Sequence, residues 1–386
     1  MNPLLSTIRR ECRRLCSRTV YLFAMIVVPV GCTIFFLSLL RPGLPTRTPS
    51  AVVDLDHSTL SRQITRELNS EQAIEITRHY DSYSDALAGV REGRIFGFFI
   101  IPEGFEREAV AGRSPSLDYY CNMTYFVPGT FVFKGFKTMV VTTTAGMVRM
   151  QLSSMGADSP VTPALIQPVA INLNSPGNPW LNYSYYLTPS FIGGLVALMV
   201  VLVTIFSITM EIKYRTSIQW LRGAGGSIVA AVTGKLLPQT VIFTIVGWCI
   251  QSLMFCWFRF PVAGSLWVMV LAMPLFIVAC QAFGLFICSI MPNPRLAFSL
   301  GALTCILTFS FAGFSFPVED MYGPIAVFSY LVPVRYYFQI HISEVLWDAP
   351  LYYSRLHFAA LIIFPLVAAI PLPLLKRACL KQTYCP

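Results

Sequence analysis

Two aspartates that follow an apolar strand are the first residues whose spacing could do chemistry. The segment "AVVDLDHST" places Asp54 and Asp56 in the hhhhDxDx[ST] pattern of hydrolases that form an aspartyl-phosphate. In such a site one carboxylate is the nucleophile and the other the general acid and base. That chemistry also needs a lysine against the phosphate and more acidic ligands for Mg²⁺. The only lysines nearby, Lys134 and Lys137, come much later, so we interpret the pattern as side chains that cap a turn and the next helix.

A glycine–lysine pair at Gly234 and Lys235 ends the segment "GGSIVAAVTGKLL" and resembles the end of a phosphate-binding loop. The pattern GxxxxGK[ST] needs Gly where this chain has Val229, and Ser or Thr where it has Leu236. We therefore interpret Lys235 as a cation at a membrane edge. If the chain depends on ATP, nucleotide hydrolysis belongs to a separate subunit.

The cysteines predict neither a disulfide nor a metal site. Cys12 and Cys16 are spaced CxxxC without a nearby histidine, and Cys121 is the single cysteine of residues 41–186. Small apolar packing residues are therefore the favoured interpretation. We assign no catalytic residue and no metal ligand.

The composition is that of a membrane protein. Of 386 residues, 55% are hydrophobic and 12% are charged, whereas soluble domains carry about 25% charged residues. A helix needs about 20 apolar residues to cross the hydrocarbon core. Six segments meet that length: 19–40, 187–209, 230–255, 265–290, 296–315 and 357–375.

The distribution of charge predicts which side of the membrane each segment occupies. The N-terminal segment, the loops after the second and fourth spans, and the tail carry 13 basic and two acidic residues. Because basic residues mark the cytoplasmic side, we predict that both termini are cytoplasmic and that residues 41–186 are external. The basic residues are scattered over four membrane-edge segments, which argues against a nucleic-acid partner. The lack of charges in mid-membrane disfavours an ion-driven antiporter.

The segments outside the spans have patterns of their own. Residues 1–18 predict an interfacial helix with Leu4, Leu5, Ile8, Cys12, Leu15 and Cys16 on one face. Strand and helix patterns alternate over residues 50–120, which predicts a small α/β sheet. A longer helix is expected at 129–156. The linker at 168–190, with Trp180, has the composition of an interfacial aromatic belt.

The segment "EIKYRTSIQWLRGAGG" at 211–226 follows the second span. Its basic residues suit a membrane anchor, but Ile218, Trp220 and Leu221 lie on a short helix that cannot bury them alone. An exposed Trp flanked by Arg is typical of an interface hot spot. We therefore predict that this helix binds another protein.

The segment at 315–340 is too apolar for a free loop and is broken by prolines, a pattern that favours re-entrant helices dipping into the membrane. The alternative is an amphipathic loop on the membrane surface. We take its polar, aromatic and proline residues as candidates for an outer gate: Phe316, Pro317, Glu319, Asp320, Pro333, Arg335 and Tyr336.

Taken in order, these features resemble the permease subunits of ABC-2-type exporters, in the subgroup with a large external domain between the first two spans. The resemblance covers nearly the whole chain. It rests on the basic N-terminal helix, "VVDLDHSTLSR", "GFFIIPEGF", "NPWLNYSYYLTPSFI", the loop that starts at Glu211, and "FAGFSFPVEDM…LVPVRYYF".

The resemblance implies a fold and a set of partners. The fold is an α-helical membrane protein with six transmembrane helices and a small α/β external (periplasmic) domain between spans one and two. The partners are two cytoplasmic ABC ATPase subunits and a second permease subunit, in a homodimer or a heterodimer. ATP and Mg²⁺ would bind the ATPase, and this chain would hold no cofactor. The implied segments are 1–18, 19–40, 41–186, 187–375 and the cytoplasmic tail 376–386.

The resemblance also implies which residues dock the ATPase. Family members show a Glu and then Gly-Thr at the start of a coupling helix; here Glu211 and Thr216 match, and Arg215 stands at the usual Gly position. The docking candidates are Glu211, Lys213, Arg215, Thr216, Gln219, Trp220, Leu221 and Arg222.

The expected function is ATP-driven export of hydrophobic or amphiphilic molecules across a bacterial inner membrane. One alternative is export of an envelope lipid or polymer with handoff to a periplasmic adaptor protein. A lower-ranked alternative is a membrane-anchored receptor or scaffold.

Overall fold

The computed structural model describes residues 3–43, 46–113, 115–154, 182–314 and 316–382. The chain forms two compact units, one made of residues 1–41 and 175–386 and the other of residues 42–174. Trp180 and most of the predicted aromatic linker, the end of the helix predicted at 129–156, and the last four residues of the tail lie outside the described residues.

The larger unit is helical. It begins with the N-terminal helix Pro3–Ser17. Within the described residues, six helices are long and apolar enough to cross a membrane, and we number them spans 1 to 6: Thr19–Leu39, Ser184–Lys213, Ile228–Trp257, Leu266–Ile290, Pro294–Phe311 and Leu351–Ala369. This part of the fold confirms the predicted number of spans.

The centre of the helical unit is formed by spans 2 and 4, which pack against each other. Span 5 packs on span 2 and span 6 packs on span 4. A short helix, Ser217–Gly223, follows span 2. Between spans 5 and 6 lie two further short helices, Gly323–Tyr330 and Pro333–Ile340, which we call the hairpin helices.

The last span differs from its predicted bounds of 357–375. The structure begins it at Leu351 and ends it at Ala369, and a separate C-terminal helix runs over Leu372–Lys381. The break falls at Ile370 and Pro371, because proline lacks the N–H that would continue a helix and its ring clashes with the preceding turn; Pro373 is tolerated in the first turn of the next helix. Most of the predicted tail is therefore a packed helix.

The smaller unit is built around a four-stranded sheet in the order β2-β1-β3-β4. The strands are β1 Thr48–Asp54, β2 Ile74–Tyr80, β3 Gly97–Ile101 and β4 Asp118–Cys121. β1 is parallel to β2 and β3, and β4 is antiparallel to β3. Within the part of this unit that the structure describes, the helices are Thr59–Ser70, Tyr83–Arg91, Phe105–Val110 and Phe126–Ser154.

Alternation along the strands produces two buried faces of the sheet. Val52 and Phe99 belong to one apolar cluster, which Phe136 joins. Their neighbours Val53 and Phe98 belong to a second cluster on the other face. Successive strand side chains point to opposite faces, so a sheet covered on both sides reads as an almost continuous apolar run.

The two aspartates at the end of β1 act as caps. Asp54 Oδ1 accepts hydrogen bonds from the N–H groups of Asp56 and His57, at 3.1 and 3.0 Å, and Oδ2 accepts one from Ser61 Oγ at 2.7 Å. Asp56 Oδ2 accepts from the N–H of Glu106 at 3.1 Å, at the start of helix Phe105–Val110. The capping interpretation therefore holds, although Asp56 caps a helix 50 residues away.

Partial burial acts to raise the pKa of Asp56, but the hydrogen bonds from Ser58 and from the backbone at 104–106 outweigh it, and the pKa lies below its usual value of 3.8. A depressed carboxyl pKa contributes stability that is present above the unfolded value and lost as the pH falls through the folded value. We expect Asp56→Asn to lower the melting temperature of the sheet unit at pH 7, with the gap to the natural protein narrowing at pH 3.

Thermal unfolding of the full chain at both pH values measures this effect. Asp81→Asn, at an exposed position, is the matched control and should leave the melting temperature unchanged. An equal gap at pH 7 and pH 3 would contradict the assignment of the effect to the Asp56 charge.

Candidate functional site

A buried carboxylate lies where span 2 ends. Glu211 is in the last turn of span 2 and is fully buried. It accepts two hydrogen bonds from Arg10, Nη1 to Oε1 at 2.9 Å and Nη2 to Oε2 at 3.0 Å. It also accepts from Arg14 and from the hydroxyl of Thr216. The paired bonds from Arg10 are the bidentate arrangement that a guanidinium forms best.

The second centre of the site is Lys235, near the start of span 3. Its ammonium is fully buried and donates to Glu211 Oε1 at 2.9 Å and to Glu11 Oε2 at 2.8 Å. Gln239 Nε2 donates to the other oxygen of Glu11 at 3.3 Å. Three cations and two carboxylates therefore share one buried site, which we call the junction cluster: Arg10, Glu11, Arg14, Glu211 and Lys235.

The junction cluster corrects the interpretation of the glycine–lysine pair. Lys235 does not reach solvent as a free cation; it is buried at the centre of an ion network near the start of span 3. Gly234 has a packing role, since a Cβ there would lie 2.8 Å from Thr7 Cβ and 3.2 Å from the carbonyl oxygen of Leu4. The small residue lets the N-terminal helix approach span 3 closely enough for the ion pairs to form.

The N-terminal helix turns a different face to the protein than its apolar residues suggest. Thr7, Glu11 and Leu15, spaced four residues apart, are its buried residues. Leu5 and Cys12, on the predicted apolar face, are exposed. Leu15 belongs to both faces, so the helix is rotated from the predicted orientation and packs with a partly polar face against span 3.

Trp220 overturns the prediction of an exposed hot spot. Its side chain is fully buried, and Leu221 beside it is 3% exposed. The indole Nε1 donates to the carbonyl oxygen of Ala231 at 3.1 Å, and Lys235 Nζ lies 5.2 Å from the centre of the ring. The short helix buries these residues against span 3, so Trp220 fixes the short helix to span 3.

The remaining docking candidates form the outward side of the same region. Lys213, Arg215, Gln219 and Arg222 are exposed, whereas Thr216 is half-buried beside Glu211. The C-terminal helix supports the region from another direction, since Ser217 Oγ donates to the carbonyl oxygen of Cys379 at 2.7 Å. The structure thus separates the predicted docking set into an exposed surface and a buried support.

Arg215 adopts the conformation for which glycine is suited. Its φ is 57°, in the left-handed region, where a residue with a Cβ is strained by about 1 kcal/mol or more. The backbone is held there by the hydrogen bond from Thr216 N to Glu211 O at 2.9 Å and by Gln382 Nε2, which donates to Arg215 O at 3.0 Å. Arg215 therefore has a left-handed backbone at the position where the resemblance implies glycine.

The gate candidates divide in the same way. Phe316, Pro317, Glu319 and Asp320 are exposed, Pro333 and Arg335 are buried, and Tyr336 is half-buried. Arg335 lies inside the hairpin: Nη1 donates to Ser329 Oγ at 3.3 Å, and the guanidinium carbon is 4.7 Å from the centre of the Tyr330 ring.

The hairpin helices are fixed to spans 3 and 4 by a residue that sequence reasoning did not single out. Tyr337 stacks on Phe276 of span 4 with ring centres 4.4 Å apart. Its hydroxyl accepts a hydrogen bond from Gln251 of span 3 at 3.1 Å. The aromatic run "RYYF" was the available signal, but its spacing did not distinguish Tyr336 from Tyr337.

Removal of the Lys235 charge should destabilise the protein strongly. In Lys235→Met, Glu11 and Glu211 stay buried with less compensation, and breaking a buried pair in this way costs about 3–5 kcal/mol. The double variant Lys235→Met with Glu11→Gln removes one uncompensated carboxylate and should recover part of the loss. The free energy of unfolding in detergent, in a double-mutant cycle, checks the coupling; independent, additive effects would contradict it.

Replacement of Arg215 separates backbone strain from side-chain charge. Arg215→Gly and Arg215→Ala both remove the exposed guanidinium, but only glycine removes the Cβ from a left-handed residue. We expect the glycine variant to be more stable than the alanine variant by about 1 kcal/mol. Thermal unfolding of the two variants side by side measures the difference, and equal melting temperatures would show that the turn is unstrained.

Comparison with known proteins identifies the family of this chain. A family model described as ABC-2 family transporter protein matches residues 19–370. The chain is 26% identical over 181 residues to the probable multidrug ABC transporter permease YbhR of Escherichia coli K12, and equally to the protein of that name in E. coli O157:H7. The alignment covers 45% of this chain and 47% of each relative, so the chain spans about half the length of the curated relatives it matches. Because the family model covers most of the chain, this protein belongs to the ABC-2 family of transporter proteins.

Proposed function

We propose that this chain is the membrane permease subunit of an ATP-driven exporter whose ATPase is a separate polypeptide. Family membership supports a transporter permease rather than an enzyme. The observation that carries the coupling proposal is that the short helix Ser217–Gly223 is joined to the junction cluster at the ends of spans 2 and 3: Thr216 donates to Glu211, and Trp220 lies against Lys235. A helix held in this way can transmit a displacement from a partner protein to spans 2 and 3.

The cluster marks the cytoplasmic side in this proposal. The segments that meet there hold most of the chain's excess of basic residues, and such residues are retained on the cytoplasmic side of membranes. Both termini are then cytoplasmic, the sheet unit is external, and the membrane is the bacterial inner membrane.

The transmission step follows from the contacts. ATP and Mg²⁺ bind the partner ATPase, whose closure displaces the helix Ser217–Gly223 through its exposed residues Gln219 and Arg222. Trp220 and Thr216 link that helix to Lys235 and Glu211. Spans 2 and 3 therefore move with the helix, because a buried charge cannot leave its partners without a large desolvation penalty.

A second permease subunit completes the path. Span 5 exposes Leu296, Leu300, Leu303 and Leu307, which repeat at intervals of three and four residues along one side. This spacing is typical of the contact surface between paired helices. It supports a dimer in which spans 2 and 5 line the pathway. The exposed residues before the hairpin helices, Glu319 and Asp320 among them, are the candidates for its outer gate.

The cargo proposed is hydrophobic or amphiphilic. Spans 2 and 5 are rich in apolar and hydroxyl side chains, and the E. coli relatives are named as probable multidrug permeases. In the alternative, the cargo is an envelope lipid or polymer that is passed to a periplasmic adaptor. The coupling to the ATPase is the same, and the sheet unit would bind the adaptor. A receptor or scaffold is disfavoured, because an anchoring role needs neither six packed spans nor a buried ion network.

A charge reversal on the exposed side of the short helix tests the docking surface. We expect Arg222→Glu to reduce both ATPase co-purification and ATP-driven efflux by about tenfold, since an interfacial arginine contributes on the order of 1–2 kcal/mol. Arg295→Glu makes the same charge change at another exposed arginine, at the start of span 5, and should have little effect.

Trp220→Ala is unsuitable for this test, because loss of a buried indole destabilises the fold by itself. The docking proposal fails if Arg222→Glu leaves ATPase binding and efflux intact, or if Arg295→Glu impairs them to the same degree.

A further inference from the structure

A cavity of about 390 Å³ lies between spans 3, 4 and 6, apart from the junction cluster and from the hairpin helices. Val229 near the start of span 3, Leu285 near the end of span 4 and Leu372 of the C-terminal helix all line it. Val229 lies on span 3 close in sequence to Lys235 of the junction cluster, and the other two residues lie beside it around the cavity. The cavity therefore lies in the half of the membrane region nearest the cluster. We call it the lipid groove.

The lipid groove opens on the side of the helices that no other described part of the chain covers. Along span 3 its lining residues Val229, Thr233, Leu237 and Val241 recur every four residues, and all four are exposed. Residues at that interval form one stripe on a helix. In a membrane, such a stripe faces acyl chains.

The interior of the groove offers almost no polar group to a ligand. Thr240 Oγ1 donates to Gln281 Oε1 at 2.7 Å, and Gln281 Nε2 donates to the carbonyl oxygen of Leu236 at 3.4 Å. Of the three polar side chains that line it, Thr240 and Gln281 are therefore bonded to each other and to the backbone, and Thr233 belongs to the exposed stripe on span 3. A saturated or unsaturated hydrocarbon chain fits this lining, and a polar solute does not.

The charge at the mouth of the groove has one sign. The C-terminal helix begins at Leu372, which lines the groove, and Lys376 follows one turn later on the same face. Arg377 and Lys381 are exposed further along, and residues 372–382 contain no acidic side chain. Leu374 and Leu380 are also exposed. Basic residues interspersed with exposed leucines are typical of a helix in the lipid headgroup region.

We propose that the lipid groove binds an anionic phospholipid, with one acyl chain between spans 3, 4 and 6 and with the phosphate against Lys376 and Arg377. The apolar lining of the groove is followed by basic residues on the C-terminal helix. This order matches the acyl chain and the charged headgroup of such a lipid. The bound lipid holds span 6 and the C-terminal helix to span 3. Because the C-terminal helix also accepts the hydrogen bond of Ser217, lipid occupancy stabilises the support of the short helix. The proposal stands whether or not the chain exports drugs.

Native mass spectrometry and thermal unfolding of the full chain in detergent test the proposal. The lipids added are dioleoylphosphatidylglycerol and, as the neutral comparison, dioleoylphosphatidylcholine. We expect the natural protein to retain phosphatidylglycerol with about tenfold preference and to melt at a higher temperature when it is added. Replacing both Lys376 and Arg377 with Gln should abolish the preference while the acyl chain still binds.

Two variants fill the groove, and one leaves it open. Ala369→Phe places a ring in the groove from span 6, and Ile370→Phe adds a ring at the next residue, which is 74% exposed and does not line the groove. Phosphatidylglycerol retention should fall about tenfold in the first and stay unchanged in the second. Thr233→Phe fills the groove from an exposed position on span 3. It replaces the Ala369 variant in the test if that variant does not fold.

Three results would overturn the proposal. Equal retention of the two lipids by the natural protein would remove the basis for an anionic headgroup. Equal loss in Ala369→Phe and Ile370→Phe would indicate lipid contact around the whole helix rather than a site. Conversion of a dimer to monomers by Ala369→Phe or Thr233→Phe, with lipid retention unchanged, would assign the groove to a second copy of the chain.

Discussion

The helical unit depends on a carboxylate that cannot stay buried by itself. Glu211 is removed from water at the end of span 2, and the cost of that desolvation is offset only while Arg10, Arg14 and Lys235 surround it. Arg10 is 201 positions away along the chain and Lys235 is 24 positions away. A single side chain therefore sets the position of the N-terminal helix relative to spans 2 and 3.

A buried ion network is weak evidence for net stability, because well-packed apolar residues in its place are often neutral or stabilising. Apolar residues of similar volume could fill the same space, but they would let the N-terminal helix slide or rotate. The bidentate bond from Arg10 and the shared ammonium of Lys235 permit one register, because each bond has a direction. Gly234 reinforces this register, since a larger residue would push the helix away from Lys235.

The spans and the sheet could be predicted from the sequence because their signals are local. Apolar length identified the six helices, and the run "GFFII" with its neighbours identified β3. The caps at Asp54 and Asp56 followed from residue type after a strand. The burial of Lys235 and Trp220 could not be predicted in this way, because their partners come from separate segments. A basic residue near the end of an apolar segment usually reaches the membrane surface, and the sequence contains nothing local that says otherwise.

A signal for the cluster was nevertheless present in the charge distribution. Glu11 is the one acidic residue among five arginines of the N-terminal segment, and Glu211, at the end of span 2, is the one acidic residue of the segment 211–226. An acid that stands alone in a strongly basic, membrane-adjacent region is at a position where a cation can reach it from another segment. Two such acids on one side imply a shared site, and the inference needs no contact information.

The burial of Trp220 changes how the short helix Ser217–Gly223 can act. An exposed hot-spot tryptophan would bind a partner directly, and the short helix could then move without spans 2 and 3. Here the indole is bonded to Ala231 and covered by Lys235, while Ser217 is bonded to the C-terminal helix and Thr216 to Glu211. The helix is thus held from three directions and cannot absorb a displacement by bending locally. A force applied to its exposed residues must be shared with spans 2 and 3, which is the mechanical property that a coupling element requires.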